Sequence, residues 1–333
     1  MKVLVTGGLG YVGSVLVPIL LQDARISKVV VYDLNLYGNY LKPHSKLKVI
    51  EADIRDVEKL KNSLKNVHTV IHLACISNDP SFELDPALGK SVNLDSFIPL
   101  VESCKSTGVC RFINASSSSV YGVKDEPHVT EDMSLNPLTD YSKYKAQTEE
   151  ILLEVTKNYM ESVSIRSATV FGYSPRQRLD VIVNILTNHA YHNRRIKIMG
   201  SGRQLRPNVH IKDIAYLYYN LCFASSYKID GEIFNYGGPN YSVLKIADIV
   251  KSQVGEDVIT EFVPSNDDRS YQISSQKITN KLGFIPSNDI LYGVHELVEA
   301  FKVGLLKDTF NNKNYFNIEA MKTEDVKRKL GVI

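Results

Sequence analysis

Short β-branched runs alternate with amphipathic stretches through the first half of the chain, the pattern of repeated βαβ units. Lys2–Thr6, Lys28–Tyr32, Leu47–Glu51, Thr69–Leu73, Arg111–Ala115 and Ser162–Arg166 read as buried strands. Tyr11–Gln22, Val57–Leu64, Pro86–Lys105 and Asp140–Asn158 read as the helices between them. Six strands joined by right-handed crossovers predict a doubly wound parallel sheet of the α/β class.

After about residue 170 the pattern loosens. Val181–His192, Asp213–Ala224 and Leu244–Val254 look helical, and Ile196–Met199 and Glu232–Tyr236 look like strands. The expectation is a nucleotide-binding domain over 1–170 and a smaller α/β lobe with a tail over 171–333. Segments around 206–236 are expected to pack back on the first domain. Ligands of open α/β sheets bind at the carboxyl ends of the strands, where the second lobe would sit.

Composition narrows the function. The 333 residues carry 39 basic and 37 acidic side chains, a net charge of +2, without the basic footprint of a nucleic-acid or anionic-membrane protein. The densest basic run, Lys322 to Lys329, is broken by Glu324 and Asp325 and reads as a solvated helix. The four cysteines, Cys75, Cys104, Cys110 and Cys222, show no CxxC or metal spacing, which fits a reducing, cytoplasmic setting. His189-x-x-His192 has no evident third ligand, so no metal is expected. No apolar run is long enough to span a membrane, and no signal segment precedes the first strand.

The first strand ends in Thr6-Gly7-Gly8-Leu9-Gly10-Tyr11-Val12-Gly13, holding Gly8-x-Gly10-x-x-Gly13 and Gly7-x-x-Gly10-x-x-Gly13 in overlapping register. A side chain there would hold the backbone away from a pyrophosphate resting on the helix N-terminus. Asp33 ends the second strand, where its carboxylate would accept an adenosine ribose and repel a 2′-phosphate. NAD is therefore favoured over NADP. Asp53 and Ile54, after the third strand, either flank the adenine or belong to an ordinary loop.

Tyr141-x-x-x-Lys145 puts a phenol and an ammonium one turn apart on a helix face. The pattern also occurs at Tyr241-x-x-x-Lys245, so placement decides. Tyr141 follows the fifth strand by one long loop. Ser117 lies at that strand's carboxyl end, in Ser116-Ser117-Ser118-Ser119-Val120-Tyr121-Gly122. Tyr241 has no such partner and reads as structural.

With these motifs, Ile71-His72-Leu73-Ala74, Asn93 and Arg206-Pro207-Asn208-Val209-His210, nearly the whole chain resembles the extended short-chain dehydrogenase/reductase superfamily. Within it, the likeness is to the NAD-dependent nucleotide-sugar epimerase/dehydratase family. The resemblance implies a Rossmann-like sheet. NAD would contact Gly7, Gly10, Tyr11, Val12, Gly13, Asp33, Asp53, Ile54, Leu73, Ala74, Asn93, Tyr141 and Lys145. Tyr141 would be the general base toward a sugar hydroxyl, usually at C4. Lys145 would supply positive charge and hold the nicotinamide ribose, and Ser117 would orient the hydroxyl.

Where sugar 4,6-dehydratases of the family carry an Asp-Glu pair, this chain has Ser118 and Ser119, poor general acids near neutrality. That argues against dehydration. The 3,5-epimerases add an acid/base pair that often includes Cys. Cys75, just past the fourth strand, either faces the site or is a small buried residue. Arg206 and Arg269 match positions of pyrophosphate-binding arginines, and Asn184 is a further diphosphate candidate; the alternative for either arginine is a surface ion pair. Thr169 stands where the family usually places Asn. Tyr173-Ser174-Pro175-Arg176-Gln177-Arg178-Leu179-Asp180 resembles a branch that includes a GDP-heptose C4 dehydrogenase of capsule biosynthesis. Arg176 and Arg178 either contact substrate or phosphate, or order this loop by pairing with Asp180.

The reading is an NAD-dependent enzyme oxidising a nucleotide-diphosphate sugar at C4 in surface-polysaccharide sugar biosynthesis, as a 4-epimerase or a C4 dehydrogenase. The same residues would serve a 4-keto-sugar reductase or a decarboxylase; a non-catalytic NAD-binding scaffold is the alternative of another class. By analogy with the family, Pro86–Lys105 and Asp140–Asn158 would pair with copies of themselves in a homodimer. Val92, Phe97, Leu100, Val101, Ile151, Leu152 and Val155 would serve equally as core.

Overall fold

A computed structural model describes residues 1–77, 79–264 and 272–332. Its main sheet has seven strands: β1 (Lys2–Thr6), β2 (Lys28–Asp33), β3 (Leu47–Glu51), β4 (Thr69–His72), β5 (Arg111–Ser117), β6 (Glu161–Ser167) and β10 (Glu232–Tyr236). The order is β10-β6-β5-β4-β1-β2-β3, and every pairing is parallel. Helices cover both faces, so central strands such as Val29-Val30-Val31 are buried on both sides and read as continuous apolar runs. The order reverses between β1 and β4, which opens a crevice beyond their carboxyl ends.

The sequence predicts six strands here; Glu232–Tyr236 is the seventh, alongside β6. The expected helix at Asp213–Ala224 runs from Ile211 to Leu221 and packs on the first helix, Gly13–Gln22. Both additions come from the stretch expected to fold back on the first half. The remaining strands are β7 (Thr169–Phe171), β8 (Arg195–Met199), β9 (Leu205–His210), β11 (Asn240–Ser242) and β12 (Ile259–Val263). They form two small sheets, β11-β9-β7 and β12-β8. Beside them, Ile182–Asn193, Val243–Val254 and Ile290–Lys302 enclose a separate apolar cluster around Val183, Ile246 and Val294.

The single helix expected over Pro86–Lys105 is instead two, Pro86–Lys90 and Phe97–Ser106, separated by a π-helical turn at Ser91–Asp95. Pro99 is one cause, since it has no N–H and its ring crowds the carbonyl four residues back. Asn93 is the other: its amide both accepts from the Ile76 N–H (2.8 Å) and donates to the Ile76 carbonyl (2.9 Å). Val92, Phe97, Leu100, Val101 and Leu152 are buried within the chain, and Ile151 and Val155 pack against them.

Candidate active site

The cavity at the crevice is about 450 Å³ and is lined from one end to the other by residues of many elements. Gly7, Gly10, Tyr11, Val12 and Gly13 form its floor. Gly7 has φ +70°, and a Cβ on it would lie 2.6 Å from the Ala74 nitrogen. A Cβ on Gly13 would lie 2.5 Å from the Gly8 Cα. The turn is thus as close to its neighbours as backbone permits. The helix that follows has no side-chain cap at Val12; its Ser14, Val15 and Leu16 N–H groups bond to the Gly10 and Val12 carbonyls, and the turn from Gly10 to Gly13 faces the cavity.

At the end of β2, Asp33 accepts from the N–H groups of Leu9 (2.9 Å) and Asn35 (2.7 Å). Burial raises its pKa, and those two donors offset part of the rise. Asp53 and Ile54 line the same end, with the Asp53 carboxylate paired to Arg55 at 2.6 Å. Leu73 and Ala74 also line the cavity.

Thr139 caps the helix Asp140–Thr156, accepting from the Ser142 N–H at 3.3 Å, and its hydroxyl donates to Asp79. The cap puts Tyr141 in the first turn, where the helix dipole favours negative charge. Ser117 and Tyr141 line the same cavity. Burial raises the Tyr141 pKa well above its ordinary value, and Cys75 and Asp79 push the same way. Arg178 and Ser117 pull it down without prevailing. Lys145 donates to the Ala115 carbonyl (2.6 Å), and its Nζ is 5.9 Å from the Tyr141 ring centroid. Arg178 adds a second positive charge that lowers the phenol's pKa. Behind this wall Glu149 forms a buried ion pair with Arg166 (2.7 Å) and accepts from Ser116, tying the helix to the ends of β5 and β6.

Ser118, Ser119, Thr169 and Arg206 line the cavity as well. The Ser119 hydroxyl is buried without a hydrogen-bond partner among the described residues. Cys75 lines the cavity too and is only partly buried. Arg178 pairs with Asp180 at 2.8 Å, one of the two expected roles, while one of its terminal nitrogens stays unpaired at the cavity. Arg176 does not pair with Asp180. It stacks on Tyr37, 3.7 Å from the ring centroid, and donates to Asn317 at 2.6 Å, leaving its Nε unpartnered. Burial lowers the Arg176 pKa to about 10. Its backbone N–H reaches the Ser14 hydroxyl (3.4 Å), which places it by the Gly-rich turn.

Two expected contacts do not line the cavity. Asn184 is fully buried: its amide accepts from the Gly172 N–H (3.0 Å) and donates to the Tyr11 hydroxyl (3.0 Å) and the Arg178 carbonyl (2.8 Å). With those bonds made, it locks the 172–178 turn to Tyr11 and has no donor for a diphosphate. Asn93 is held by Ile76 through one accepted and one donated bond. Arg269 lies outside the described residues. Tyr241 sits on β11 opposite Arg206 and does not line the cavity. Sequence reasoning missed Tyr37, Ser77, Asp79, Asn317 and Leu330, which do; none carries a local motif.

The uncapped helix end, the close-packed glycine turn and the carboxylate ending β2 fit a dinucleotide, and the unpartnered polar atoms suit a polar ligand. A family model described as the NAD dependent epimerase/dehydratase family matches residues 3–237. A putative UDP-glucose 4-epimerase of Methanocaldococcus jannaschii is 29% identical over 307 residues, covering 90% of this chain and 98% of that protein. The structure of a UDP-glucose 4-epimerase from Thermotoga maritima, with UDP-glucose, matches at TM-score 0.83 and 26% identity, over 92% of this chain and 100% of that one. The protein MoeE5, in complex with UDP-glucuronic acid and NAD, matches at TM-score 0.81 and 26% identity, over 91% and 100%. This chain, with its dinucleotide turn and its Ser-Tyr-Lys wall in one cavity, belongs to the NAD-dependent epimerase/dehydratase family, and NAD is its cofactor.

Proposed function

We propose that this nucleotide-sugar epimerase/dehydratase family enzyme oxidises its substrate at C4 of the sugar and acts as a 4-epimerase. The observation that carries the reading is that Ser117, Tyr141 and Lys145 line the same cavity as the Gly7–Gly13 turn. Bound NAD supplies the hydride acceptor and a positive charge. Tyr141 takes the proton of the C4 hydroxyl at its phenol oxygen, and Ser117 holds that hydroxyl in line. The helix N-terminus and Arg178 favour the phenolate, while burial keeps Tyr141 protonated until further positive charge is present. Lys145, anchored on Ala115, would hold the nicotinamide ribose. Arg206 would take the substrate diphosphate, since a guanidinium matches phosphate oxygens in pairs.

Ser118 and Ser119 carry no acid for elimination, which supports epimerisation over 4,6-dehydration. The UDP-sugars named with MoeE5 and the Thermotoga enzyme make UDP-sugars the first substrates to try. A second reading, release of a 4-keto sugar, draws on the resemblance of Tyr173–Asp180 to a dehydrogenase-containing branch. Incubating the purified protein, without added cofactor, with UDP-, GDP- and dTDP-sugars and identifying products by NMR tests both. A C4 epimer is expected. A 4-keto sugar matched by reduced nicotinamide establishes the second reading, and a 4-keto-6-deoxy product overturns the argument from Ser118 and Ser119. NAD binding with no product from any sugar favours a non-catalytic scaffold.

A further inference from the structure

The chain does not end in the cluster around Val294. After the helix Ile290–Lys302 it crosses the molecule and lies against the cofactor end of the cavity. Leu306 and Tyr315 pack on Leu179, and the Tyr315 carbonyl accepts from the Leu179 N–H at 2.8 Å. Asn317 then makes three side-chain or backbone bonds at once. Its carbonyl oxygen accepts from Arg176 (2.6 Å), its amide nitrogen donates to the Ser77 hydroxyl (2.8 Å), and its N–H donates to Asp180 (3.0 Å). Further on, Met321, Val326 and Leu330 enter the apolar cluster that holds Tyr32, Ala52 and Ile54. The Leu330 carbonyl accepts from Arg55 (2.8 Å), and the Lys329 ammonium donates to the Asn35 carbonyl (2.8 Å).

One segment is thus fastened to each of four loops that border the dinucleotide end: the turns after β2, β3 and β4, and Tyr173–Asp180. Asn317 and Leu330 themselves line the cavity. Asn317 also holds the guanidinium of Arg176, a cavity-lining residue whose Nε has no partner among the described residues. An ordinary terminal helix pair would need the apolar contacts alone. The polar bonds to four separate loops go beyond that requirement.

We infer that the segment from Lys307 to Val332 is a strap that completes the NAD site, with Asn317 and Leu330 as cofactor-retaining residues. NAD would then enter or leave the dinucleotide end only with this segment lifting from at least one of the four loops. The inference rests on the assignment of that end of the cavity to NAD.

The test is the rate at which bound NAD is lost. Full-length protein, Asn317→Ala, Leu330→Ala and a chain ending at Leu306 are loaded with radiolabelled NAD, chased with excess unlabelled NAD, and sampled by filter binding. Both point variants are expected to release NAD roughly tenfold faster or more, the effect of about one buried polar or apolar contact. Melting in saturating NAD checks that each is folded, and the point variants decide the matter if the truncated chain is not. Release within twofold of full-length in both point variants overturns the strap and leaves the NAD assignment standing. A full-length chain that takes up no NAD overturns the assignment and the strap together.

Discussion

The two walls of the cavity are built in different ways. The sheet wall carries the Gly7–Gly13 turn, Ser117–Ser119, Tyr141 and Lys145, each group contiguous or one helix turn apart, each at a strand end or in a helix's first turns. The outer wall brings together Tyr37, Ser77, Arg176, Arg178, Asn317 and Leu330 from distant stretches of chain. Its bonds run across most of the sequence; Arg176 and Asn317 are 141 positions apart. Neighbours in sequence thus supply the reactive groups, and distant segments supply the enclosure. Reactivity should therefore fail when one sheet-wall residue changes, while retention and affinity should fail when the outer wall loosens.

Tyr141→Phe is the sharpest break. Turnover should fall by about 10²–10⁴-fold, the usual worth of a positioned general base, with NAD release unchanged in the same chase measurement. A loss of NAD from this variant would merge the two walls' functions. Next in size is the contrast of two ion pairs. Glu149→Leu leaves Arg166 buried without its partner and should cost about 3–5 kcal/mol in urea unfolding. Asp180→Asn breaks a less buried pair on the outer wall and should cost about 1–3 kcal/mol. It should also speed NAD release, because Asp180 accepts from the Asn317 N–H. Equal costs for the two would contradict the difference in enclosure.

The smallest effect is a slope. His72, hydrogen-bonded to Thr6 at 2.8 Å, is pushed down from 6.5 to about 3 by burial, with the Lys145 charge adding. Above pH 6.5 the ring is neutral in both folded and unfolded chains and contributes nothing to the pH dependence. As pH falls from about 6.5 toward 3, the unfolded chain takes up a proton the folded one refuses, so stability is lost. The loss should approach about 1.4 kcal/mol per pH unit. Urea midpoints from pH 7 to pH 4 should show a shallower acid slope in His72→Gln than in the parent. Parallel slopes would remove His72 from the account.

The two expected contacts that do not line the cavity follow the same division. Asn93 and Asn184 are polar, motif-linked and near the site. Yet each amide bonds to backbone partners, Ile76 for one and Gly172 and Arg178 for the other. A hydrogen-bonding side chain has a fixed number of donors and acceptors, and only the fold says who takes them. Arg176 and Arg178 are two positions apart in one loop and indistinguishable by type. The structure turns one to Asp180 and the other to Tyr37 and Asn317.

The parallel sheet, the glycine turn and the Ser117, Tyr141 and Lys145 set were legible in the chain, because β-branched periodicity, glycine's missing Cβ and helix spacing are local rules. The pairing of Glu232–Tyr236 with β6, the break before Pro99 and the arrival of Asn317 and Leu330 in the cavity wall were not. Each depends on which distant surfaces meet in the folded protein, where burial and filled hydrogen bonds, rather than residue type, decide what a side chain does.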